Sequence, residues 1–236
     1  DADVIVVMLP VTTIMLLQMR NLTKAAVIAA ERSLPYVYNY KEQRSLMKLA
    51  RKADGWVFQT EAQRTWYEKA GIRKGVIIPN AINTEFIRPL YSGEGRKEIV
   101  TIGSLTVPKN HELLLSAFAR IAKNWPSHKL ILYGKGPKME LLQALAIQLG
   151  IADRVVFAGY STNVYESVKA AELFILSSDY EGMPNALLEA MATGLPCVST
   201  DCDGAGARSL IEDGKNGLLV PKGDVKSLAS AMERML

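Results

Sequence analysis

Two carboxylates, Glu181 and Glu189, stand eight positions apart in the segment 178–192, with Pro184 between them. Proline fits the first turn of a helix, because its fixed φ suits that turn and its missing N–H is not needed there. Pro184 therefore predicts a helix start. The amides of Asn185, Ala186 and Leu187 would then lack an intrahelical acceptor, and such a helix mouth attracts anions. Glu181 falls in the loop before the helix, with Gly182 and Met183 leading into it. Glu189 falls a turn or more inside. Two acids so placed can bracket a nucleotide sugar, with phosphates on the amides and a carboxylate accepting from hydroxyls at either end. The small residues Ala186, Ala190, Ala192 and Gly194 let the helix lie close to a sheet. The plainer alternative is a surface helix with ordinary glutamates, and Glu189 within an apolar helix argues against it.

Two other loops carry weaker signals. In 103–110, Gly103 lets a ligand approach the backbone, Ser104 follows it, and Lys109 brings a positive charge to the start of a helix. A diphosphate suits this loop, although an exposed lysine beside a turn has the same sequence. Gly134-Lys135-Gly136-Pro137 places a Gly-x-Gly after an apolar run, which a plain turn explains equally well. Asp201-Cys202-Asp203 has the Asp-x-Asp spacing of a metal-binding signature, but acids two apart are common by chance. Cys197 and Cys202 lack the C-x-x-C spacing of a redox or zinc pair. Cys197, in an apolar run, reads as a small buried hydrophobe, and a reducing, cytosolic setting is expected. Two histidines, His111 and His128, are too few for a His-rich metal site.

The elements that position these loops alternate. Apolar, β-branched runs at 4–9, 26–29, 56–58 and 75–78 predict strands, with helices at 12–20, 40–53 and 61–69 between them. The run 4–9 reads as a strand covered on both faces. Pro79, Pro89, Gly93 and Gly95 break the rhythm, and 81–96 reads as a linker. The rhythm restarts with strands at 98–102, 130–133, 155–157, 173–176, 196–199 and 218–220. Helices are expected near 111–124, 138–149, 162–170, 184–193, 206–212 and 224–235. Strand–helix alternation implies parallel sheets and an α/β fold, whose ligands bind beyond the carboxyl ends of the strands.

The chain has 236 residues, 49% hydrophobic and 22% charged. That excludes disordered and collagen-like classes, and at roughly 150 residues per domain it allows about 1.6 domains. The net charge of +4 is uneven: residues 1–92 hold 13 Lys/Arg against 8 Asp/Glu, and the remainder 15 against 16. A basic first part suits an anionic membrane surface or a phosphorylated ligand, and equally a solvated face. The uncharged stretch 4–19 is too short and too interrupted to span a bilayer.

Taken together, residues 97–236 resemble the carboxyl-terminal domain of the family 4 glycosyltransferases, retaining enzymes with the two-Rossmann-domain GT-B fold. Glu181 to Glu189 matches the family's Glu-x7-Glu signature, Ile102-Gly103-Ser104-Leu105 with Lys109 its Gly-Arg-Leu…Lys loop, and Gly134 to Pro137 its Gly-x-Gly-Pro. Asp201 to Arg208 resembles its glycine-rich loop, and residues 216–220 its final strand. Residues 25–92 look like the later part of its first domain. The resemblance implies a partial acceptor-side domain at 1–80, a linker at 81–96 and a nucleotide-sugar-binding domain at 97–236. It implies transfer of a hexose or N-acetylhexosamine from a UDP-sugar to a glycan or lipid-linked acceptor in cell-surface polysaccharide synthesis. It further implies a cytoplasmic protein seated peripherally at the membrane, with no metal, no other cofactor and no nucleic-acid partner.

By the same resemblance Glu181 contacts the donor hexose, Glu189 the ribose hydroxyls, and Lys109 the departing diphosphate. Gly103, Ser104, Gly136 and the stretch from Gly182 through Asn185, Ala186 and Leu187 line the donor. Tyr160, Ser161 and Val164 hold the base, and Arg32 belongs to the acceptor side. By that resemblance Ser104 stands where the family has Arg, and residues 1–80 are expected to lack the opening strands of the first domain. Both expectations suit an alternative, a donor-binding module without transfer activity. A dinucleotide oxidoreductase is the more distant reading, because no Gly-x-Gly-x-x-Gly follows the first strand of either part.

Overall fold

The computed structural model describes residues 2–34, 39–69, 71–83, 95–161 and 163–236. Most of the expected linker, residues 84–94, lies outside the described residues. The chain forms two compact units, Asp1–Ala81 with Gly204–Gly206, and Ile82–Asp203 with Ala207–Leu236.

The first unit holds β1 (Val4–Met8), α1 (Pro10–Gln18), β2 (Ala26–Glu31), α2 (Tyr40–Leu49), β3 (Gly55–Phe58), α3 (Glu61–Lys69) and β4 (Gly75–Ile77). Its strands form a parallel sheet in the order β1-β2-β3-β4. Alternation sets the core: Val27 and Ala29 of β2 and Trp56 and Phe58 of β3 point to one buried face and meet Leu17, Leu46 and Tyr67 from the helices. Trp56 and Tyr67 pack with ring centroids 4.9 Å apart, and the Trp56 indole donates to the Ala50 carbonyl at 3.1 Å. The apolar run that opens the chain departs from expectation. β1 is an edge strand, and only Val7 is buried, while Val4, Val6 and Met8 are at least half exposed.

The second unit holds β5 (Glu98–Ile102), α4 (His111–Ile121), β6 (Lys129–Tyr133), α5 (Met139–Gln148), β7 (Val155–Gly159), α6 (Val164–Val168), β8 (Leu173–Leu176), α7 (Asn185–Ala192), β9 (Cys197–Asp201), β10 (Leu218–Pro221) and α8 (Val225–Met235). Six parallel strands run in the order β10-β9-β8-β5-β6-β7. β8 is buried at every position, which its unbroken apolar run requires of a strand covered on both faces. Leu173 and Ile175 join the core formed with α4, α5 and α8, and Phe174 and Leu176 the core formed with α7. The helix expected at 206–212 is absent. Gly204, Ala205 and Gly206 leave β9 with positive φ at Gly204 and Ala205, and only turns follow, with the Ile211 amide closing on the Ala207 carbonyl at 2.8 Å.

The chain leaves β5 to lay β6 and β7 on one side, then returns to lay β8, β9 and β10 on the other. β5 and β8 are therefore the neighbours at which the winding reverses, and the crevice beyond their carboxyl ends is where such sheets bind ligands. The loops after β5 and β6 are welded there: the Gly103 amide donates to the Tyr133 carbonyl at 2.9 Å and the Leu105 amide to the Lys135 carbonyl at 3.0 Å. A Cβ at Gly134 would press on the Gly103 carbonyl oxygen, and one at Gly136 on the backbone of Leu105. Gly150, also at positive φ, has open space around it.

The contrast makes a test. Gly150→Ala is expected to cost about 1 kcal/mol from backbone strain alone. Gly136→Ala, where main chain must move, is expected to cost about 2–3 kcal/mol. Urea unfolding checks both, and equal losses would contradict the weld.

Candidate functional site

Lys109 leaves β5 by way of a single turn of 3₁₀ helix, Val107–Lys109, and Glu181 leaves β8 in the loop before α7. Strand adjacency brings these side chains, 72 residues apart in sequence, to one place: Lys109 Nζ lies 2.5 Å from Glu181 Oε1. Both are largely shielded, with the Glu181 side chain 11% exposed. Ser178 Oγ donates to the same Glu181 oxygen at 2.7 Å. At close range and reduced dielectric such a pair attracts by a few kcal/mol before desolvation is subtracted.

His111 opens α4 two residues beyond Lys109 and is buried. Burial, and next the Lys109 charge, push its pKa down to about 4. At neutral pH the imidazole is uncharged, and Lys109 carries the positive charge of this loop alone. The amides of α4 are less available than the sequence suggested, since the Asn110 side chain caps the helix and accepts from the Leu113 N–H at 3.2 Å.

α7 begins at Asn185, with Pro184 in the cap position and no side-chain cap. One expectation is corrected: the Leu187 amide is not free, because it donates to the Pro184 carbonyl at 3.1 Å, as does the Leu188 amide. The mouth is shorter by one donor because the first turn is tightened. Glu189 sits in the second turn of α7, half-buried, and its carboxylate has no partner among the described residues. Burial raises its pKa above the usual carboxylate value. Gly182 and Met183 form the half-buried turn between Glu181 and the helix.

Beyond β5, β6 and β7 lies a cavity of about 310 Å³ lined by Ile102, Gly103, Ser104, Tyr133, Gly134, Lys135, Tyr160 and Ser161. It contains four of the residues singled out from sequence: Gly103, Ser104, Tyr160 and Ser161. Ser161 Oγ lies 2.7 Å from Ser167 Oγ of the following helix α6, which Val164 opens. Thr162 lies outside the described residues. Gly136 is not in the wall, since its place against the Leu105 backbone gives it a packing task. Sequence reasoning gave no role to Tyr133, Lys135 or Ser178. The strand-end positions of Tyr133 and Ser178 were the available signal. Lys135 is exposed and has no ionic partner among the described residues.

The acids of the Asp-x-Asp are already engaged: Asp201 faces Arg208, and Asp203 faces Lys222 at 2.5 Å. Each carboxylate holds a cation of the protein. Both cysteines are buried, with their thiol pKa values pushed up to about 12 by burial, which leaves them unreactive. In the first unit Arg32 follows β2, where the buried Glu31 carboxylate accepts from the Arg32 and Ser33 amides at 2.9 and 3.1 Å and from the Tyr67 hydroxyl at 2.6 Å. No helix among the described residues is long and apolar enough to cross a membrane.

The exopolysaccharide phosphotransferase SCO2592 of Streptomyces coelicolor is 39% identical over 196 residues, 81% of this chain and 20% of that protein. The lipopolysaccharide core biosynthesis glycosyltransferase LpsE of Rhizobium meliloti is 34% identical over 138 residues, 58% of this chain and 39% of that one. The crystal structure of Anabaena Alr3699/HepE in complex with UDP shares the fold at a TM-score of 0.87 and 21% identity, over 98% of this chain and 68% of that chain. The chain spans between 20% and 58% of the length of the first curated relatives it matches. The architecture is of the GT-B type, and the model of the family "Glycosyl transferases group 1" matches residues 96–236. The chain belongs to that family.

Proposed function

We propose that this chain binds the donor in a retaining, family 4 glycosyltransferase that moves a hexose or N-acetylhexosamine from a UDP-sugar to a glycan or lipid-linked acceptor of the cell surface. The observation that carries the reading is the Lys109–Glu181 pair at the point where the sheet reverses, beside the mouth of α7. Two similar proteins support the substrate class: Anabaena Alr3699/HepE has been crystallised in complex with UDP-glucose, and LpsE is a glycosyltransferase of lipopolysaccharide core biosynthesis.

In this reading the base and ribose occupy the cavity by Tyr160 and Ser161, with the Glu189 carboxylate accepting from ribose hydroxyls. The diphosphate lies between Gly103, Ser104 and the first amides of α7. Lys109 then has two claimants, the diphosphate and Glu181. Donor binding draws the ammonium toward the phosphates and releases Glu181, still held by Ser178, toward the hexose. As the bond to the anomeric carbon breaks, negative charge grows on the diphosphate, and a fixed cation there lowers the barrier. Ser104 supplies no charge, so Lys109 and the helix mouth carry that task. Engagement of Asp201 and Asp203 by Arg208 and Lys222 is consistent with transfer that needs no metal. We place the transfer on the cytoplasmic side, at a membrane carrying the acceptor, with Arg32 toward that acceptor.

Calorimetry with UDP, paired with a donor-turnover assay on the full-length protein, tests the reading. Binding with turnover supports it. Binding without turnover leaves a donor-binding module, and no binding refutes both. Chelation with EDTA is expected to leave turnover unchanged.

Competition for Lys109 has a signature. Glu181→Gln frees the ammonium and is expected to tighten UDP binding by about threefold to tenfold while cutting transfer by about 100-fold or more. Lys109→Met is expected to weaken both. Weaker UDP binding in Glu181→Gln would contradict the competition.

Glu189 should trade stability for binding. An acid whose folded pKa is raised adds no penalty below its ordinary value, near 4.5, and destabilises the fold increasingly as pH rises through the raised value. Glu189→Gln is therefore expected to melt about 2 °C higher than the parent at pH 8, with the gap closing toward pH 4, while UDP affinity falls about tenfold. Thermal scans across pH and calorimetry check the two halves.

A further inference from the structure

Lys109 ends a 3₁₀ turn and Glu181 follows a single β-bridge from Tyr180 to Asp203, and neither element joins the Lys109 loop to the Glu181 loop. We infer that Asn110 and Asp179 are positioning residues that lock the Lys109 loop to the Glu181 loop and thereby fix the ion pair.

Asn110 adopts the left-handed backbone conformation, φ 43° and ψ 52°, which turns the chain from the 3₁₀ turn into α4. Both ends of its amide are used. Oδ1 accepts from the Leu113 N–H at 3.2 Å, and Nδ2 donates to Asp179 Oδ1 at 2.9 Å. Reversal of that amide would set oxygen against oxygen at Asp179 and N–H against N–H at Leu113, so the orientation is determined. The seam continues on either side. The Asp179 N–H donates to the Pro108 carbonyl at 2.8 Å, and Ser177 Oγ to the Lys109 carbonyl at 3.0 Å. Beyond it, the Asp203 N–H donates to the Asp179 carbonyl at 3.1 Å and the Glu181 N–H to the Asp203 carbonyl at 2.9 Å.

Lys109 is thus fixed one residue from Asn110, and Glu181 two residues from Asp179. Asn110–Asp179 joins the two loops side chain to side chain beside the pair, with the Ser177 hydroxyl on the Lys109 carbonyl alongside it. The inference rests on the donor-site reading for its relevance to transfer, where a displacement of about 1 Å can cost about 100-fold in rate. The lock itself is a property of the free protein.

The test therefore reads the pair without donor. Acetylation of Lys109 by an N-hydroxysuccinimide ester at fixed pH is followed by peptide mass spectrometry, with Lys138, which pairs with Glu112, as an internal control. Glu181→Gln sets the rate of an unpartnered Lys109, expected about fivefold above the parent. Asp179→Ala and Asn110→Gly, the latter keeping the left-handed turn, are expected to approach that rate with Lys138 still protected. Asp179→Asn, which retains an acceptor oxygen, is expected to stay near the parent. If Asp179→Ala exposes Lys138 as well, it has loosened the whole unit, and Asn110→Gly decides. Parent-like Lys109 rates in Asn110→Gly, or no change in Glu181→Gln, would overturn the lock. Failure of the parent to bind UDP in calorimetry would refute the donor site and leave the lock standing on its own data.

Discussion

The salt bridge between Lys109 and Glu181 gathers the constraints of the second unit into one place. Its partners are 72 residues apart and belong to loops, so neither local sequence nor helix geometry can bring them together. The sheet does. β5 and β8 are neighbours because the chain reverses its winding between them, and a parallel sheet sends both strands out on the same edge. The length of each strand, the weld of the β5 and β6 loops and the burial of β8 on both faces all serve to fix where those exits lie.

Charge explains why the pair is needed in the free protein. A partly buried ammonium or carboxylate left alone bears a desolvation penalty. Lys109 and Glu181 relieve one another, and His111, held neutral by burial and by Lys109, adds no second positive charge. Glu189 is the exception, half-buried, unpartnered among the described residues and raised in pKa. A protein seldom keeps such a group without a use, and perturbed carboxylates concentrate where ligands bind.

Periodicity made much of this legible. The apolar run Leu173 to Leu176 was legible as a strand and Pro184 as a helix start, and both elements form. What the sequence hid was pairwise. Nothing in 103–110 says that Asn110 reaches Asp179, because that contact depends on which strands are neighbours. Gly136 was open to two readings, a weak nucleotide signal or a plain turn, and the structure shows a packing reason for its glycine in the Leu105 backbone. The 206–212 segment has helix-forming residues, but glycines and a positive φ at Ala205 lead into it and turns win. The run 4–9 differs from its reading, because it forms the edge strand β1 of the first unit, with Val4 and Val6 exposed.

The family resemblance, which puts an arginine where this chain has Ser104, bears on the role proposed for Lys109. With two cations at a diphosphate, one could stay on a glutamate while the other stabilised charge. In the proposed reading Lys109 serves Glu181 in the free state and the phosphates in the bound state, so donor binding exchanges its partner. That exchange needs little motion if both loops are rigid and only the lysine's flexible methylenes swing. It fails if the loops drift, because the ammonium then finds intermediate positions that satisfy neither anion. Rigid main chain around a mobile side chain is what the bonds from Asn110, Ser177 and Asp179 provide. The methylenes of Lys109 run beside Gly103, where a Cβ would meet them at 3.5 Å, an ordinary contact. The stem of Lys109 thus lies along that backbone, while the groups that define its two end points are held by the sheet.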